Sequence, residues 1–177
     1  MVFSVGVFAD SVGINYADVQ PQGGAVATHK IEFLGAKTLT DQIDGTVKAV
    51  LSNAHSSPGY GTALEVGTKI KFASSKDQFV PWVQPALTFT SPETAKGNYF
   101  GYVVDAGVDS KFNRFTVTPA VSYGDSFNAA NHKQSTAGVK VAYAYNDNLS
   151  FYSRYRREFN DVGLDANRIY IGTEYKF

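Results

Sequence analysis

Tyr152, Arg154, Arg156 and Glu158 recur at every second position, a period that puts all four on one face of an extended strand. Guanidinium groups stacked along one face can hold carboxylates through paired N–H donors. Such a ladder could guide an acidic solute, or it could pair with acids on neighbouring strands; Glu174 and Glu65 are the candidates for Arg154 or Arg156. The intervening Arg157 falls on the opposite face near a loop, where it could meet lipid phosphate. Alternation in the other segments adds Lys69, Lys71, Lys140 and Arg114 to the face that carries the ladder, with Lys48, Arg168, Asp105 and Asp109. The candidate solute contacts are therefore Arg154, Arg156, Lys140, Arg114, Lys69, Lys71, Tyr152 and Glu174.

Other chemistry finds less support. His55 lies beside Ser52, Ser56 and Ser57, but no acid nearby in sequence could orient its imidazole for nucleophilic catalysis. His132 reads as a solvated loop residue and His29 as the start of a strand. No zinc, calcium or phosphate-loop spacing occurs, so neither an enzyme nor a cofactor or metal is expected. The chain has no Cys, which removes disulfides and thiolate sites. Lys+Arg and Asp+Glu are both 16, a balance that argues against nucleic acid as a partner.

The elements that must position these groups are strands. Phe115, Val117, Pro119, Val121 and Tyr123 alternate with Thr116, Thr118, Ala120 and Ser122. Ala137, Val139, Val141, Tyr143 and Tyr145 alternate with Gly138, Lys140, Ala142 and Ala144. Ten such segments are predicted, at 2–18, 27–37, 44–53, 61–73, 78–91, 98–109, 113–123, 135–145, 149–158 and 167–177. Merging weak segments gives eight strands, and twelve is the other alternative. The first segment changes face near Asp10 and Ser11, which implies a bulge or a misplaced boundary. Pro81, Pro85 and Pro119 fall inside strands, where each removes a ladder donor. Short turns alternate with longer polar loops, the habit of membrane barrels. No apolar run is long enough for a transmembrane helix. No signal peptide is visible; Met1 directly before the strand pattern reads as an initiator added to a mature exported chain.

A soluble barrel would also have one apolar face. Three features favour the membrane. The other face is rich in Gly, Ala, Thr and charge. Aromatics on the apolar face gather near strand ends, as in interfacial girdles. The last segment sets Ile169, Ile171, Thr173, Tyr175 and Phe177 on one face, with a terminal aromatic. Tyr175 and Phe177 thus read as a signal to barrel-assembly machinery. The fold class expected is an all-β, antiparallel transmembrane barrel of one domain, 1–177.

The run Asn148-Leu149-Ser150-Phe151-Tyr152-Ser153-Arg154-Tyr155-Arg156-Arg157-Glu158-Phe159, followed by Arg168 to Phe177, resembles the closing hairpin of the oligogalacturonate-specific porin family. The likeness covers about the last thirty residues. It implies a small monomeric channel for acidic oligosaccharides, with Arg154 and Arg156 lining the pore; members of that family are longer and have twelve strands. A ten-stranded barrel has a backbone radius of about 10 Å, so small inward groups could leave a narrow wet passage. The expectation is a passive channel in a Gram-negative outer membrane for small hydrophilic solutes, with anionic ones as candidates, in contact with lipids and lipopolysaccharide. The alternative is a closed structural or surface-interaction barrel in which the same charges pair across the interior.

Overall fold

Residues 9–21, 27–54, 60–74, 76–92, 97–128, 133–160 and 165–177 are described by a computed structural model of the chain. The 2–8 part of the first predicted strand, His55, His132 and the centres of the five long loops lie outside them. Ten strands follow in order: β1 (Ser11–Pro21), β2 (Thr28–Thr40), β3 (Ile43–Ala54), β4 (Gly61–Lys71), β5 (Phe79–Ser91), β6 (Tyr99–Phe112), β7 (Phe115–Ser126), β8 (Gln134–Ala144), β9 (Leu149–Asn160) and β10 (Ala166–Lys176). Each pairs antiparallel with its sequence neighbours, and β1 pairs with β10, so the sheet closes into a barrel without a free edge. Closure satisfies ladder groups internally, which lipid requires.

The alternation fixes which side chains point where. Ile14, Ile31, Leu51, Val66, Leu87, Val104, Val121, Val141, Ile169 and Ile171 all face outward and are exposed. Phe72, Phe79, Phe112, Phe115, Tyr145 and Phe151 ring the short-turn end, and Phe100, Tyr123, Phe127, Tyr155 and Phe159 the long-loop end. An aliphatic band between aromatic girdles is the exterior of a transmembrane barrel; on a water-soluble protein so large an apolar surface would drive aggregation.

The prolines sit on the outer face and locally open the ladder. Between β4 and β5 the register passes from Gly67↔Ala86 to Ile70↔Val83, skipping Pro85. Between β6 and β7 it passes from Gly107↔Ala120 to Ser110↔Val117, skipping Pro119. In both places the missing amide leaves one side of the strand unpaired while the other keeps its register.

Of the two readings of the face change near Asp10, the misplaced boundary holds: β1 begins at Ser11, with Gly13, Asn15, Ala17 and Val19 inward. One expectation needs correction. Arg114 does not line the interior. β6 runs to Phe112 and β7 starts at Phe115, so Asn113 and Arg114 form the turn. Asn113 takes a φ of 54°, a conformation that Asn tolerates better than most residues. Arg114 is exposed at that rim, with Nη1 donating to Tyr143 Oη at 3.5 Å.

Asp10 ties the seam at the short-turn end. Its N–H donates to Ala36 O (2.8 Å) and its carbonyl accepts from Phe177 N–H (3.0 Å). Its carboxylate accepts from Lys37 Nζ (2.7 Å) and Thr38 N–H (2.8 Å). The Lys37 ammonium and the Thr38 amide hold the Asp10 carboxyl below its ordinary value of 3.8. A depressed carboxyl contributes stability above its unfolded-state pKa and loses it as pH falls through the folded value. Asp10→Asn should therefore be less stable than wild type at pH 7, and the gap should close as the solution is acidified through that range. Urea unfolding in lipid vesicles across pH checks this; a gap independent of pH would contradict it.

Candidate functional site

The inward positions of β9 are Ser150, Tyr152, Arg154, Arg156 and Glu158, each facing an inward residue of β8 and β10. Arg154 reaches past β10 and β1 to Glu32 on β2, with Nη2 at 2.9 Å from Oε2. Glu32 is buried and also accepts from Asn15 Nδ2 at 3.0 Å. Asn15 Oδ1 in turn accepts from the Tyr152 hydroxyl. The Arg154 guanidinium lies 3.9 Å from the Tyr170 ring centre, and Lys140 Nζ lies 4.2 Å from that of Tyr152. Lys140 also faces Glu174 at 3.7 Å.

A second cluster forms beside the proline gaps. Asp109 accepts from Lys69 Nζ (2.8 Å), Thr118 Oγ1 (2.8 Å) and Trp82 Nε1 (3.2 Å). Lys69 stacks over the Trp82 ring at 4.5 Å. Arg156 lies between the clusters, 3.8 Å from Asp105 on β6. Asp105 Oδ1 is buried without a hydrogen bond, so this is a charge contact and not a directed bond. Lys48–Glu65, Lys71–Asp44 and Arg168–Glu158 pair neighbouring strands.

These contacts divide the lumen. Asn15, Ala17, Glu32, Trp82, Ala86, Asp105, Thr118, Tyr152 and Tyr170 point inward yet are buried, so they constrict the barrel at mid-height. Above this waist, on the long-loop side, a vestibule of about 860 Å³ opens. Its wall mixes polar and apolar groups: Lys30, Lys48, Glu65, Arg156 and Arg168 on one side, Thr88, Thr90, Ser122, Gln134 and Thr136 on the other, with Val19, Val50, Ala63 and Val103 between them.

Of the residues selected from sequence, Arg154, Arg156, Lys140, Lys69, Lys71, Tyr152 and Glu174 face the interior. Only Arg156 among them borders the vestibule; the others lie at the waist or below. Lys30, Glu32, Asn15 and Trp82 were not selected, although alternation of Lys30 and Glu32 with Ile31 and Phe33 carried the signal for the first two. Tyr175 and Phe177 are exposed on the outer face, with their rings edge to face at 5.2 Å. Arg157 is also outward, 3.4 Å from Asp165. His29 sits on that face too, its Nδ1 2.6 Å from Tyr16 Oη and 3.8 Å from Asp18. Among the described residues no three metal-ligating side chains converge.

The closed ring, its aliphatic band and its charged lumen define a ten-stranded transmembrane β-barrel. No protein-family model and no curated protein matches the sequence. Solved structures do. The "KdgM porin in complex with disordered oligogalacturonate" is 16% identical with a TM-score of 0.52, covering 93% of this chain and 99% of that one. The NanC porin is 13% identical with a TM-score of 0.55, covering 93% and 100%. The β domain of the Bordetella autotransporter Brka is 10% identical with a TM-score of 0.57, covering 95% and 100%. Identities this low establish a shared barrel; the Brka domain illustrates that the barrel alone does not define the activity.

Proposed function

We propose that the chain is a bacterial outer-membrane channel through which small hydrophilic solutes diffuse passively, with its vestibule facing the long loops. The main support is the cavity of about 860 Å³, lined in part by charged side chains, above a waist built from side chains and not from backbone. Side-chain waists can rearrange while the sheet holds. The porin folds of KdgM and NanC support it, and the oligogalacturonate complex of the former makes acidic oligosaccharides the finer candidate solute. Tyr175 and Phe177, exposed at the end of β10, are read as the assembly signal.

A second reading has its own observation. Arg154–Glu32 and Arg156–Asp105 cross the lumen, as braces of a closed barrel would. Swelling of proteoliposomes separates the two. A channel should let monosaccharides equilibrate within seconds to minutes and exclude long dextrans; brace function alone should leave the vesicles as tight to monosaccharides as protein-free ones.

A further inference from the structure

Among the described residues the charges that line the vestibule balance in number, but one of the acids is paired with Arg154 outside it, which leaves one lining cation unmatched. Lys48 is matched by Glu65, Arg168 by Glu158 and Arg156 by Asp105, while Glu32 is taken by Arg154. At the rim Asp125 and Lys133 carry opposite signs. Lys30 borders the cavity between Ala17 and Ser52 on the adjoining strands, small residues that offer no countercharge. The charged groups that act on it are Arg168, Glu158, Glu32 and Lys48, and both acids are already held by arginines. Among the described residues Lys30 has no carboxylate partner. In a narrow cavity with low-dielectric walls one uncompensated charge sets the sign of the local field.

We propose that Lys30, and not the Arg154/Arg156 ladder, determines that the vestibule admits and concentrates small monoanions. This deepens the channel reading but depends only on the vestibule, so it can hold or fail whether or not the barrel conducts.

The chain has no Cys, so Ser52→Cys places a single reporter thiol beside Lys30. Its modification rates by the sulfonatoethyl and trimethylammonioethyl methanethiosulfonates, each normalised to a free thiol, give an anion-to-cation ratio. Taking the ratio removes any effect of Lys30 on thiol ionisation. The expected ratio favours the anion. Lys30→Gln should lower it about tenfold at low salt, Lys30→Glu should invert it, and added salt should shrink both effects. Removing a matched pair together, Arg156→Gln with Asp105→Asn, should leave it unchanged. A ratio insensitive to Lys30→Gln in a variant that still migrates as a folded barrel overturns the proposal, as does an equal shift in the matched-pair variant. A silent bilayer with the expected ratios would retain Lys30 and overturn only the channel.

Discussion

Glu32→Ala, with Arg154 left in place, should destabilise the barrel by about 3–5 kcal/mol, the usual cost of stranding one member of a buried ion pair. Glu32 is 4% exposed and answers both the Arg154 guanidinium and the Asn15 amide. Without it, Arg154 stays pinned against Tyr170 with its charge unanswered, and Asn15 loses an acceptor. Replacing both members, Glu32→Gln with Arg154→Met, should recover most of that loss, because two neutral groups of similar size avoid the stranded charge. Glu32→Gln alone, Arg154→Met alone and the double variant, unfolded by urea in vesicles beside wild type, form a cycle that isolates the coupling. Arg156→Ala should cost clearly less, since its contact with Asp105 is 3.8 Å long and carries no hydrogen bond. Equal losses for Arg154 and Arg156 would contradict this assignment.

Gly172→Val should be nearly as damaging, by about 3 kcal/mol, at the upper end of overpacking. A Cβ at Gly172 would stand 2.6 Å from Ile14 O and 2.9 Å from Tyr152 Cζ, and closer still to Asn15 Oδ1. Ile14 O belongs to the sheet and cannot retreat, so the strain falls on the Tyr152–Asn15–Glu32 chain at the waist. Gly45→Ala is the control, because its nearest neighbours would be 3.8 and 3.9 Å away; it should cost less than about 1 kcal/mol. Heat-modifiable mobility and urea midpoints read both variants.

The barrel itself was legible because its alternation is local: each strand announces its own two faces, as Phe115 to Tyr123 shows without reference to any neighbour. Ten strands were countable for the same reason. The site was legible only as a face. Alternation says that Arg154 and Arg156 point inward, but not that Glu32, 122 residues away from Arg154 in sequence, waits across the lumen. That pairing depends on register and closure, which no single strand encodes. Asn15 was hidden by a boundary: the face change near Asp10 left open which side of the first strand points inward until its start at Ser11 was known. Arg114 was misplaced by a boundary as well, since the strand expected from residue 113 begins at Phe115. Lys30 escaped attention because isolated lysines are common on strands; only the ion pairs of Lys48, Arg156 and Arg168 around it show that it is left unanswered.

The most direct test of the channel is single-channel conductance in a planar bilayer, comparing wild type with Trp82→Ala. Trp82 projects into the waist and is 8% exposed, so truncating it removes bulk from the waist without touching the vestibule lining. Discrete steps are expected for wild type, and larger steps for Trp82→Ala. Silence from both proteins, with insertion established by protease protection and heat-modifiable mobility, would contradict the channel and leave the cross-lumen pairs as braces of a closed barrel.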